Sequence, residues 1–192
     1  MIKKQNIRLT ESDLHRIIKE SVKKILKEAQ FDVTDKTWIT YGLGTSFNKD
    51  LFTPPDYNWM NTMFTNKPKG GLWASPVDSK WGWKDWCERE NFGKLDSSFM
   101  FKLKPNAKIY VVDDLNDLKQ ISTREQPEKY RVGNLKGIDY PKLIQNGYDG
   151  IFVTENAVGM FHCYVDDETQ DLNAWDCESI CIFNPNVIMP VN

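Results

Sequence analysis

The residues best suited to chemistry lie late in the sequence, around Glu178. Glu178 directly precedes the apolar run 180–183, and Asn-Pro-Asn at 184–186 follows that run. Four apolar residues closed by a turn signal predict a buried strand. With the two-residue period of a strand, Glu178 shares a face with Ile180 and Ile182, at the strand's end. Such a carboxylate fits either a catalytic acid at the mouth of a cleft or an ordinary solvated strand end.

Asp176 places a second carboxylate two residues before Glu178. Strand alternation puts both on one face, which would suit two carboxylates that serve one cleft. Asp176 could equally cap a turn after Trp175. The spacing leaves both interpretations open.

Several common catalytic schemes are excluded by their missing motifs. The sequence contains no GxxxxGK[ST], GxGxxG, GxSxG or HExxH. His162 and Cys163 are adjacent, so in a strand their side chains point to opposite faces and form a poor nucleophile–base pair. With two His, four Cys and no CxxC, we predict no metal site.

The four cysteines are predicted to be free thiols. Cys177 and Cys181 are four residues apart in one predicted strand, which is too far for an easy disulfide. No apolar run reaches the length of a membrane span, and the N-terminus lacks the apolar core of a signal peptide. We therefore expect a cytoplasmic protein.

Composition and charge indicate a soluble domain with an added basic segment. Of the 192 residues, 40% are hydrophobic and 27% charged, which is ordinary for a globular protein, whereas seven Trp are many. Residues 1–30 carry eight basic and four acidic side chains, a net +4, so the remainder carries −6. The acidic body argues against a large nucleic-acid footprint.

The clearest element is an amphipathic helix over residues 9–28. Thr10 and Asp13 form a variant capping box at its start. An apolar stripe follows at helical spacing, made of Leu14, Ile17, Ile18, Val22, Ile25 and Leu26. The stripe must cover the body, a partner helix or a membrane surface, and we favour docking or self-association over the membrane.

The body alternates short strands and helices without a regular βαβ rhythm, which favours an α+β domain. Strands are predicted at the start of 37–47, at 72–75, 98–103, 108–112, 150–154, 159–165 and 180–183. Helices are predicted from Asp78 or Ser79 to about Phe92, and over 113–121 and 140–146. Residues 122–136 are expected to form a surface loop. At least one of Trp81, Trp83 and Trp86 is expected to lie wholly in the core.

Three segments, in chain order, resemble the motifs of the ADP-ribosyltransferase fold over about residues 37–188. The first is WITYG, 38–42, where relatives carry an Arg or a His near a Gly. The second is GGLWASP, 70–76, which is similar to the family's second strand. The third combines GYDGI, 147–151, with ESICIFNP, 178–185, and resembles the ending of bacterial and phage-encoded members.

The resemblance implies a pair of small, roughly perpendicular β-sheets with flanking helices, and NAD as the substrate bound between them. Glu178 would stabilise the oxocarbenium-like charge on the ribose as nicotinamide leaves. Asp176 would orient the acceptor, as in the arginine-modifying subgroup. The residues expected to contact NAD are Thr40, Tyr41, Gly42, Leu72, Trp73 and Ser75.

One departure from the family pattern bears on activity. The first motif offers Thr40 and Tyr41, neither of which carries the charge of an Arg or the imidazole of a His. We predict a leader over 1–30 and a domain over 31–192 that transfers ADP-ribose from NAD to a macromolecular acceptor. The alternative is a catalytically silent module that binds a partner through its cleft or N-terminal helix. A third, weaker option is a nucleic-acid-associated protein with a basic contact helix.

Overall fold

The structure, a computed structural model, describes residues 10–56, 67–121, 124–125, 135–159, 163–165, 168–170, 172 and 175–191. The chain separates into two compact units, Met1–Asp32 and Val33–Asn192. Among the described residues, no helix is both long and apolar enough to cross a membrane.

The predicted N-terminal helix is confirmed as α1, Glu11–Gln30. The Thr10 hydroxyl accepts a hydrogen bond from the Asp13 N–H at 3.1 Å, and the Asp13 carboxylate accepts one from the Thr10 N–H at 3.1 Å. This reciprocal pair is the predicted capping box. The stripe side chains that the structure describes are 42% to 51% exposed: Leu14, Ile17, Ile18 and Val22. Leu9, and the side chains of Ile25 and Leu26, lie outside the description.

Within the residues that the structure describes, the second unit combines two sheets with three α-helices. Its strands are β1 Thr37–Tyr41, β2 Leu72–Pro76, β3 Ser98–Leu103, β4 Ile109–Val112, β5 Arg124–Glu125, β6 Leu135–Gly137, β7 Gly150–Val153, β8 Cys163–Val165, β9 Glu168–Gln170, β10 Ser179–Ile182 and β11 Ile188–Val191. Its helices are α2 Trp83–Glu90, α3 Leu115–Ile121 and α4 Tyr140–Gln145. The predicted α+β class is confirmed.

The larger sheet has seven strands in the order β11-β3-β1-β2-β10-β7-β4. All of its neighbours are antiparallel except β4 and β7, which are parallel. The smaller sheet has the order β5-β6-β9-β8. Although β3 and β4 follow each other in the chain, they lie in different halves of the larger sheet.

Each face of the larger sheet packs against its own hydrophobic cluster. The Trp73 face carries Trp73, Cys181, Ile151 and Val112, and the helices α3 and α4 contribute Leu118, Ile121, Tyr140 and Leu143 to its cluster. The Trp38 face carries Trp38, Leu72, Ala74, Phe101, Phe152, Ile180 and Ile182. Alternation along each strand sends neighbouring residues to opposite clusters.

The larger sheet curls toward the Trp38 face. Trp38 on β1 and Phe152 on β7 meet edge to face with ring centroids 5.1 Å apart. In a flat sheet, three strand spacings would separate these strands by about 14 Å. The contact is explained by curling, which brings the two halves of the sheet around a shared core.

Several element predictions are corrected. The second helix begins at Trp83, because the Gly82 N–H donates to the Asp85 carboxylate at 2.9 Å and thereby caps the helix there. Residues 122–136 include β5 and the start of β6. The strand β11, which the sequence did not predict, contains Pro190. Proline has no N–H to donate, and an edge strand tolerates it because N–H groups on the outer side of the sheet have no strand partner.

The prediction that one of three α2-region tryptophans is wholly buried is wrong. Trp81, Trp83 and Trp86 are each half-buried, whereas Trp38 and Trp175 have 0% and 1% exposed surface. Trp83 and Trp86 stack at 5.0 Å along the surface of α2 and share Phe92 as an edge-on neighbour. Trp83 and Trp86 are therefore covered mainly by each other and by Phe92 rather than by the core.

Candidate active site

The three segments singled out in the sequence lie on adjacent strands in the middle of the larger sheet. β2 pairs through its first three residues with β10, with Cys181 opposite Trp73. Through Ser75 and Pro76, β2 pairs with β1. β2 therefore changes its pairing partner between Ala74 and Ser75. The candidate site lies around this point.

Ser75 links β2 to the segment before β10 at the point where the pairing of these two strands stops. Its hydroxyl donates to the Glu178 carbonyl at 2.7 Å and accepts the Trp83 N–H at 2.9 Å. Ser75 is 2% exposed, so both bonds form away from bulk water. One buried hydroxyl thus connects β2, the residue before β10 and the first turn of α2.

Glu178 is half-buried and is held through its backbone. Besides the bond from Ser75 to its carbonyl, its N–H donates to the Trp81 carbonyl at 3.0 Å. The Trp81 indole N–H in turn donates to the Asp176 carbonyl at 2.9 Å. These bonds leave the Glu178 carboxylate with no protein partner among the described residues.

The argument that strand alternation aligns Asp176 with Glu178 is corrected. β10 begins at Ser179, residues 177–178 form a bend before it, and Asp176 lies outside any strand. The period of two therefore does not extend to the carboxylates. Asp176 is half-buried, and its backbone is fixed by Trp81.

Trp73 is held in place from two directions. Its indole N–H donates to the Gly70 carbonyl at 2.9 Å, and its ring meets that of Trp175 at 4.8 Å. An aromatic ring fixed by a hydrogen bond and a buried neighbour presents a rigid surface. Leu72, by contrast, is 4% exposed and belongs to the cluster on the opposite face.

The structure adds Lys67, which the sequence analysis did not single out. Its Nζ lies 4.7 Å from the Trp73 ring centroid and 5.0 Å from that of Trp83. Burial lowers the pKa of Lys67, and the nearby Asp176 carboxylate opposes part of this decrease. The sequence Lys-Pro-Lys-Gly-Gly at 67–71 is typical of a turn, so no local signal marks this lysine.

The first-motif residues separate onto the two faces of β1. Thr40 lies on the Trp38 side and is 2% exposed, so it offers almost no surface to a ligand. Tyr41 is half-buried on the other side near α2. Burial raises the pKa of Tyr41, with Asp85 and Glu88 adding to the increase and Lys84 opposing it.

Two glycines of the motifs have structural reasons for their presence. Gly42 has φ +75°, and a Cβ there would lie 3.0 Å from the Lys94 carbonyl oxygen. Gly71 has φ +71°, and a Cβ there would lie 2.7 Å from the Cys181 Sγ. The close approach of β2 to β10 at the second motif therefore requires a residue without a side chain.

The aspartate of the GYDGI segment connects strand ends. The Asp149 carboxylate accepts the Asn184 side-chain amide at 2.8 Å and the Lys108 N–H at 2.9 Å. Its carbonyl accepts the Phe183 N–H at 2.7 Å. The two parts of the third motif thus contact each other, and Asp149 has a structural role there.

The described cysteines are free, as predicted: Cys87, Cys177 and Cys181 are buried thiols. Burial raises the pKa of Cys177 to about 12, with Lys67 opposing the increase. The side chain of Cys163 lies outside the description. No group of three or more His, Cys, Asp or Glu among the described residues could hold a metal ion.

A separate cavity of about 170 Å³ lies between β4, α3 and α4. Tyr110, Asp139 and Lys142 are among its lining residues. The Tyr110 hydroxyl donates to the Asp117 carbonyl at 2.9 Å, which fixes this wall to α3. The cavity shares no lining residue with the Glu178 region.

Comparison with known proteins adds no relative. No family model, curated protein or solved structure matches this chain. A function can therefore be argued only from the geometry.

Proposed function

We propose that this protein transfers ADP-ribose from NAD to a macromolecular acceptor. The observation that carries the proposal is the 2.7 Å hydrogen bond from Ser75 to the Glu178 carbonyl, which joins the second and third motif segments on adjacent strands. The first motif segment lies on the next strand, β1. Three segments separated in sequence thus converge at one place.

The partner change within β2 supports the expected division into two small sheets. One half would be β11-β3-β1 and the other β10-β7-β4, with β2 common to both. The curling that brings Trp38 to Phe152 agrees with a large angle between the halves. We propose that these two halves of the sheet lie roughly perpendicular to each other.

The side chains present suit the chemistry. The Glu178 carboxylate would stabilise the positive charge that develops on the ribose as nicotinamide leaves, while its backbone bonds keep it from reorienting. Trp73 would border the nicotinamide with a ring already fixed by Gly70 and Trp175. Asp176 would orient the acceptor.

The test compares nicotinamide release by the parent, Glu178→Gln and Glu155→Gln, with a cell lysate as the source of acceptor. Removing a transition-state electrostatic group lowers turnover about 100-fold to 1000-fold. Glu155 is an exposed glutamate, so its replacement is a matched control and should leave release unchanged. Thermal unfolding midpoints of all three proteins should agree. Unchanged release by Glu178→Gln contradicts the catalytic assignment.

The alternative is a silent module that binds a partner through the same cleft or through α1. Its support is the first motif, where Thr40 is buried and Tyr41 brings neither a charge nor an imidazole. This alternative predicts no nicotinamide release from the parent with any lysate fraction. It is distinguished by capture of a partner that Glu178→Gln still binds.

A further inference from the structure

Lys67 holds its charge in an unusual setting. The ammonium lies over the rings of Trp73 and Trp83, 4.7 and 5.0 Å from their centroids, and the residue is half-buried. Within the described part of the chain it makes no hydrogen bond and no ion pair. Two indole faces attract a cation, but they accept none of its three N–H donors.

The groups around Lys67 do not satisfy these donors. The charged or titratable groups that act on it are Asp176 and Cys177 before β10, Cys181 on β10 and Cys87 on α2. Burial raises the pKa of each thiol, so at neutral pH all three are uncharged. Asp176 is the remaining negative charge, and it forms no ion pair with Lys67.

The described cations on α2 are already engaged. Lys84 pairs with Glu88 at 3.7 Å, and Arg89 pairs with Glu90 at 2.7 Å while covering the Trp81 ring. Lys67 differs because the two rings fix its position while no described residue accepts its N–H groups. A half-buried ammonium held in this way is suited to receive an anion.

We propose that Lys67 binds the diphosphate of the nucleotide and thereby supplies the positive charge that the first motif lacks. This inference rests on the proposed function, since it assigns part of the same substrate. The diphosphate of a dinucleotide offers several charged oxygen acceptors for the three N–H donors of the ammonium, whereas a simple carboxylate offers two.

The test measures ADP binding by calorimetry to the parent, Lys67→Met and Lys69→Met. Methionine keeps the length and apolar packing of the side chain but removes the charge. Loss of a charge-assisted hydrogen bond should weaken ADP binding about 10-fold to 100-fold. Lys69 is exposed two residues away, so its replacement should change affinity less than about 2-fold if position matters.

Three further measurements make the result specific. Adenosine, which lacks phosphate, should bind the parent and Lys67→Met equally. Lys67→Arg should recover part of the ADP affinity because it restores the charge. Inorganic pyrophosphate should compete with ADP on the parent and not on Lys67→Met. Thermal unfolding identifies any variant that fails to fold, and Lys67→Gln then replaces Lys67→Met.

The affinity for ADP should also depend on pH with a definite sign. The protonated amine binds the anion, and its pKa lies below the ordinary 10.5 of lysine. Binding should therefore weaken as pH rises toward 10.5, earlier than for an exposed lysine. Lys67→Arg should abolish this decline, since arginine stays charged.

The outcomes separate this inference from the proposed function. Equal ADP affinity in the parent and Lys67→Met, or no ADP binding by the parent, overturns the role of Lys67. Failure of nicotinamide release with Lys67-dependent ADP binding overturns the transferase activity alone.

Discussion

The Ser75 hydroxyl should be worth more to this fold than its size indicates. In Ser75→Ala, the Glu178 carbonyl and the Trp83 N–H lose their shared partner in a place with 2% side-chain exposure. Leaving a buried polar group unsatisfied costs about 1–3 kcal/mol, so two such groups should lower the free energy of unfolding by about 2–6 kcal/mol. For a chain of this length, that corresponds to a decrease in Tm of roughly 4–24 °C.

The assay is urea unfolding of the parent, Ser75→Ala and Ser97→Ala. Ser97 is the matched control, because its hydroxyl accepts one N–H, that of Gly44, at 3.2 Å in an exposed setting. Its loss should change the free energy of unfolding by less than about 0.5 kcal/mol. Amide hydrogen exchange should show lost protection at Trp83 in Ser75→Ala and not in the control. If both variants lose equally little stability, the bridging role is refuted.

Two other predictions follow from the packing of β2 against β10. Gly71→Ala should lower the free energy of unfolding by about 1–3 kcal/mol, because the new Cβ meets the Cys181 Sγ at a position with positive φ. The control is Gly44→Ala, whose Cβ meets no neighbour and which therefore reports the strain of positive φ alone. Equal losses of stability in urea unfolding would contradict the clash. Cys177 and Cys181 should resist alkylation in the folded protein at pH 8 and react after unfolding, because burial raises their pKa values and blocks access. Mass spectrometry after iodoacetamide treatment measures this, and rapid labelling of both thiols in the folded protein would contradict their burial.

Local patterns predicted the elements whose causes are local. The capping pair Thr10–Asp13 and the apolar run that became β10 involve residues close in sequence, and both are confirmed. The predicted start of α2 was wrong. Ser79 is a good capping residue, but the helix is capped at Gly82, which packs closely against Ser75 of β2. Tertiary contact overrode propensity there.

The site could be predicted only in part, for the same physical reason. Trp73 lies in a recognisable strand and Glu178 directly precedes another, and the structure places these two strands side by side. Lys67 has meaning only through Trp73 and Trp83, which come from a strand and a helix further along the chain. The strands β5, β6 and β9 have two or three residues each, too few for any periodicity to be read, whereas β8 lies within the predicted strand 159–165.

The position of β10 between β2 and β7 has a consequence for how the chain must be made. Both neighbours are synthesised first, and each has a bare row of N–H and C=O groups until Ser179–Ile182 arrives. Exposed strand edges are templates for pairing between chains, so nascent or prematurely terminated chains that stop before β10 are at risk of aggregation. The strand that follows the candidate catalytic carboxylate is therefore also the one that completes the sheet. A chain in which Glu178 is positioned has both strand edges paired and is no longer exposed to this route of aggregation.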